Sequence, residues 1–160
     1  MNIELQRFEA AEFQCWAWLP PQAQEKSVPA VYCNGGDSLE GRLEYVLREL
    51  RPQMGKELPS VALIGVIPHC WEDDFSPWLA PTRQGLPYGG KCDQYLQTMA
   101  QIIREAEKRF PLMAQRKYRA MAGYSMAGLA SIYALYRTER FGQVASISGS
   151  LWFQDWEAFM

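Results

Sequence analysis

The stretch RAMAGYSMAGLASIYALY, residues 119–136, decides how the rest of the chain is read. YRAMA (118–122) reads as a short strand, and 126–138 reads as a helix. Between them stands Ser125, flanked by Gly123 at −2, Ala127 at +2 and Gly128 at +3. A strand that hands over to a helix within one or two residues makes a sharp turn. Such a turn lifts the serine hydroxyl above the sheet and aims a helix N-terminus at developing negative charge. The small neighbours suit it, because little space remains inside the bend. The usual pattern is G-x-S-x-G, and Ala127 adds one methyl group to it. The plainer alternative is a serine N-cap before an ordinary helix.

Working outward, the chain alternates between two kinds of segment. EFQCWAWLP (12–20) sets Phe13, Cys15 and Ala17 against Gln14, Trp16 and Trp18, which predicts an early strand near a sheet edge. VPAVYC (28–33) is a short apolar strand running into NGGD. Leu39, Leu43, Val46, Leu47 and Leu50 recur at helical spacing. SVALIGVIP (60–68) is continuously apolar, as expected of a strand covered on both faces. Residues 68–91 hold four Pro and three Gly and predict a long structured loop. Tyr95, Met99, Ile102, Ile103, Ala106 and Phe110 mark one face of a second helix, and QVASISGS (143–150) is a last strand. This order predicts an α/β fold with a mostly parallel sheet, in one domain of 160 residues.

Composition narrows the function. The net charge is −2, with no basic block, so nucleic acid is not an expected partner. The N-terminus MNIELQRFEAAEF lacks the apolar core of a secretory leader, and no run approaches the ~18 apolar residues of a membrane span. A cytoplasmic location without membrane contact is therefore expected. The four cysteines, 15, 33, 70 and 92, form no C-x-x-C pair and read as free thiols.

A serine nucleophile needs a base and oxyanion donors. The N–H of Met126 is the expected first donor. Gly35 and Gly36 of the NGGD loop let backbone approach a substrate and are expected to give the second, although NGG could equally be a simple turn. The single histidine, His69, follows the middle strand and is a weak candidate for the base. A pocket-lining histidine, or one bonded to Glu72, Asp73 or Asp74, is the plainer expectation. WEDD (71–74) reads as a solvated acidic turn rather than a cation site, and no metal or organic cofactor is expected. Asp155, after the last strand, is a weak candidate for the acid. Tyr124, Trp71, Trp78 and Trp152 could line an acyl or aryl pocket, with core packing as the alternative for the tryptophans.

GYSMAGLASIYALY and FGQVASISGSLWF, preceded by WEDDFSPWLAP and GGKCDQYL, resemble the bacterial putative esterase family. That group is similar to esterase D and to the esterases that open ferric siderophores such as enterobactin. The resemblance runs from about residue 28 to the end. It implies an α/β-hydrolase fold, a small-molecule ester substrate and an acyl-enzyme on Ser125. It also implies an acid and then a histidine further along than Met160. The expectation is a fold incomplete at its C-terminus, with weak or no turnover and with the 143–148 strand as an open edge prone to self-association. A non-catalytic remnant or ligand-binding module of the same fold is the alternative.

Overall fold

The computed structural model describes residues 3–82 and 85–160. A six-stranded mixed sheet runs in the order β1-β2-β4-β3-β7-β8. Its strands are β1 (Gln6–Ala10), β2 (Phe13–Trp18), β3 (Ala30–Asn34), β4 (Ala62–Val66), β7 (Arg119–Tyr124) and β8 (Gln143–Ile147). The pairs β4–β3, β3–β7 and β7–β8 are parallel, and β1 and β2 form an antiparallel hairpin joined antiparallel to β4. A separate two-stranded ribbon, β5 (Leu79–Ala80) with β6 (Tyr88–Gly89), lies within the 68–91 loop. The helices are α1 (Gly36–Glu40), α2 (Leu43–Leu50), α3 (Trp71–Asp74), α4 (Cys92–Arg109), α5 (Met126–Arg137) and α6 (Trp156–Phe159).

The side-chain alternation of β2 divides the interior into two cores. Phe13, Cys15 and Ala17 join the larger one, with Tyr95, Met99 and Ile102 of α4 and Leu129 and Ala130 of α5. Trp16 and Trp18 point to the other face, where Leu43 and Leu47 of α2 cover them. Helices therefore pack on both faces, as a mostly parallel sheet requires. The helical faces expected at 39–50 and 92–110 are the buried ones, although the first is split by Gly41 and Arg42 into α1 and α2.

One expectation holds and another is corrected. The 12–20 strand lies near an edge as expected, with residues 6–10 adding β1 as the edge strand outside it. The β1–β2 turn is Ala11-Glu12, both at positive φ, a hairpin turn built without the Asn-Gly or Asp-Gly that marks one in a sequence. WEDD is not a solvated turn: it forms the one-turn α3, with Asp74 buried and accepting the backbone N–H groups of His69 at 2.8 Å and Cys70 at 3.2 Å. Asp73 pairs with Lys91 at 2.6 Å.

The last strand, β8, has one sheet neighbour among the described residues. The β7–β8 register places Ala122 beside Ala145 and Tyr124 beside Ile147. Ala145, Tyr124 and Ile147 are exposed. Among the described residues no helix is long and apolar enough to cross a membrane.

Close packing of α1 on β4 depends on Gly36. A Cβ there would lie 2.8 Å from the backbone of Gly65 and Val66, neither of which can yield cheaply. Gly36→Ala is expected to cost about 1–3 kcal/mol, the usual range for overpacking. An unchanged urea midpoint would show that α1 moves away freely.

Candidate active site

Ser125 is the junction of β7 and α5 and adopts φ 57°, ψ −123°. This is a sparsely populated region for a residue with a Cβ, costing of order 1–3 kcal/mol when the surroundings enforce it. The enforcement is visible. The Ser125 N–H donates to the Ile147 carbonyl at 3.0 Å, and the Ser125 carbonyl accepts from Leu129 at 3.0 Å and Ser150 at 3.1 Å. The turn is also closed sterically. A Cβ on Gly123 would stand 2.3 Å from the Ala127 carbonyl oxygen, and one on Gly128 would stand 3.1 Å from the Gly149 Cα. The small residues around Ser125 are thus a geometric requirement, and Ala127 fits because its methyl occupies the space that Gly123 leaves empty.

Adjacent parallel strands end side by side, so β3 delivers Asn34-Gly35-Gly36 next to the Ser125 turn. Gly35 takes φ 75° and starts α1. The first N–H groups of α1 and of α5 have no intrahelical acceptor, as at any helix start. The Trp71 ring closes over Gly35, where a Cβ would come within 2.6 Å of it. Trp71 is half-buried and meets Phe75 edge-on at 5.0 Å.

Asn34 fixes this arrangement. It is buried, and its Oδ1 accepts the Tyr95 hydroxyl at 2.6 Å while its Nδ2 donates to Ser131 Oγ at 3.1 Å and the Ala127 carbonyl at 3.4 Å. One amide therefore ties β3 to α4 and α5. Burial pushes the Tyr95 phenol well above its ordinary range, so it remains a neutral donor. The sequence offered no sign of this role, because Asn before Gly-Gly reads as turn chemistry. Ser150 is also outside the sequence-derived set. It is buried, and its Oγ lies 3.3 Å from Ser125 Oγ.

The side-chain partner of Ser125 Oγ is thus Ser150 rather than His69 or Asp155. The His69 ring stacks on Phe13 at 4.0 Å, and its Nε2 meets the Glu12 carbonyl at 3.0 Å. With β3 standing between β4 and β7, His69 follows a strand two positions, about 10 Å, from the one carrying Ser125. Only its backbone N–H meets an acid of the WEDD turn. Asp155 is exposed at the start of α6, and its carboxylate accepts from Gln154 at 3.2 Å. Trp78 packs in an aromatic cluster with Trp156, Phe153, Phe159 and Tyr133, and its Nε1 donates to the Gln154 carbonyl at 2.9 Å. Trp152 is exposed and lines an open groove with Tyr88 and Phe153. Tyr124 is exposed on the β7–β8 face. Burial pushes the Cys15 and Cys33 thiols up to about 12, which leaves them inert as nucleophiles. Among the described residues no group of three His, Cys, Asp or Glu is placed to hold a metal ion.

Asn34→Leu leaves the buried Tyr95 hydroxyl without its acceptor and is expected to cost about 1–3 kcal/mol. The double variant with Tyr95→Phe should lose less than the two single losses added together. Strict additivity in urea denaturation would contradict this coupling.

Comparison with known proteins places the chain in a family. The family model described as putative esterase matches residues 11–159. YbbA of Bacillus subtilis, an uncharacterized protein, is 30% identical over 162 residues, covering 97% of this chain and 64% of YbbA. An IroE-like serine hydrolase from Shewanella oneidensis superposes with TM-score 0.79 at 19% identity, over 99% of this chain and 54% of that one. The siderophore hydrolase EstA of Aspergillus nidulans gives 0.75 at 20% identity, over 99% of this chain and 60% of that one. The chain thus spans less than two thirds of each of these three proteins. Its mostly parallel mixed sheet with flanking helices is that of an α/β-hydrolase fold, and the chain belongs to the putative esterase family.

Proposed function

We propose that this chain is a serine esterase-type hydrolase acting on small carboxylic esters, with Ser125 as the nucleophile. The observation that carries this reading is the enforced Ser125 backbone at φ 57° where β7 hands over to α5. Ser125 Oγ would attack the ester carbonyl carbon. The Met126 N–H and a donor from Gly35 or Gly36 would bind the oxyanion, and the alcohol would leave an acyl-Ser125 for water to hydrolyse. The siderophore hydrolases among the structural neighbours support an ester substrate. The carbonyl contact of His69 argues against it as the base, so turnover by these residues alone is expected to be slow. That contact also favours the second reading, a ligand-binding module of the same fold. Tight ligand binding unchanged by Ser125→Ala, without turnover, would select it.

A fluorophosphonate probe tests the nucleophile. Ser125 Oγ displaces fluoride from phosphorus, so the wild type should be labelled on the Ser125 peptide and Ser125→Ala should not. A folded wild type that stays unlabelled would refute the assignment.

We also propose that the open β8 edge and the face bearing Ile147 drive self-association. Unpaired strand edges flanked by apolar side chains are templates for pairing. Ile147→Lys should raise the soluble, monomeric fraction on sizing. A wild type already monomeric at high concentration would remove the basis for this proposal.

A further inference from the structure

The loop that follows β8 wraps around Ser125. The Ile147 carbonyl accepts the Ser125 N–H at 3.0 Å, and the Ser150 N–H donates to the Ser125 carbonyl at 3.1 Å, so residues 147–150 bracket the serine backbone. Ser148 reverses the chain at φ 46°, and a Cβ on Gly149 would stand 2.2 Å from Ser146 Oγ. The Ser150 carbonyl in turn accepts from Phe153 at 3.0 Å, so Ser150 is held on both sides of its own backbone. Its side chain has little freedom. It is 2% exposed, and its Oγ stands 3.3 Å from Ser125 Oγ.

The direction of that contact follows from burial. A buried hydroxyl proton needs an acceptor, and among the described residues Ser125 Oγ is the side-chain partner of the Ser150 hydroxyl. Ser125 is half-buried, so its own proton can pass to solvent. Ser150 is therefore the donor. At 3.3 Å the contact is long for O–H···O, whose usual separation is about 2.7–2.8 Å, and it adds little to the resting protein. An oxygen that acquires negative charge draws such a donor in to about 2.5–2.7 Å and roughly doubles the strength of the bond. The Ser150 hydroxyl thus contributes more while Ser125 reacts than while it rests. An interaction of that kind speeds the chemical step without tightening ground-state binding.

We propose that Ser150 is a positioning residue for Ser125: its hydroxyl donates to Ser125 Oγ, orients the lone pair that attacks, and stabilises the charge that Oγ takes on as its proton leaves. The proposal rests on the reading of Ser125 as nucleophile. Labelling by the fluorophosphonate probe is followed over a range of probe concentrations, which gives a maximal rate and a half-saturating concentration. In that step Ser125 Oγ bonds to phosphorus, the P–F bond breaks, fluoride leaves with the electron pair and the Ser125 proton passes to water. Ser150→Ala should lower the maximal rate about tenfold, with the half-saturating concentration and the urea midpoint unchanged. Ser150→Thr, which keeps a hydroxyl, should recover most of the rate. Labelling of Ser150→Ala at the wild-type rate would overturn the proposal and leave the nucleophile standing. So would a loss confined to the half-saturating concentration, a loss that tracks a lowered urea midpoint, or a folded Ser150→Thr no faster than Ser150→Ala. A folded wild type that stays unlabelled would overturn both readings together.

Discussion

Everything around the candidate site depends on one backbone constraint, the positive-φ conformation of Ser125 between β7 and α5. A residue with a Cβ does not rest at φ 57° without help. Here the help comes from three backbone hydrogen bonds and from neighbours too small to push the turn open. The same bonds draw in the segment after β8, because Ile147 accepts from Ser125 and Ser150 donates to it. The constraint therefore reaches beyond the turn and sets where 147–150 must run.

Asn34 extends the constraint across the sheet. Its amide is satisfied on both sides, by Tyr95 from α4 and by Ser131 and the Ala127 carbonyl from α5. A buried amide with every bond made is rigid, and one with a bond missing is costly. The NGG loop is consequently held against the start of α5 rather than left as a free surface turn. Trp71 closes over its outer side, so the loop is clamped between an aromatic ring and a helix.

Several residues with plausible chemistry were visible in the sequence but are committed to structure. His69 stacks on Phe13 and meets the Glu12 carbonyl in the β1–β2 turn, and Trp78 stacks within the cluster around Trp156. Residue type alone could not distinguish these roles. The partner of His69 lies 57 positions away in the chain, and that of Trp78 lies 76 positions away.

The sequence by itself determined the alternation of strands and helices, the two-faced burial of β2 and the small-Ser-small turn at Ser125. These are local: they follow from side-chain period, from the length of apolar runs and from the volume that a tight bend permits. Tertiary structure alone decided the outer β1 strand, the buried role of Asp74, the Asn34 network and the approach of Ser150 to Ser125. Each depends on which distant segments become neighbours when the sheet adopts the order β1-β2-β4-β3-β7-β8, and side-chain pattern along one segment carries no record of that order.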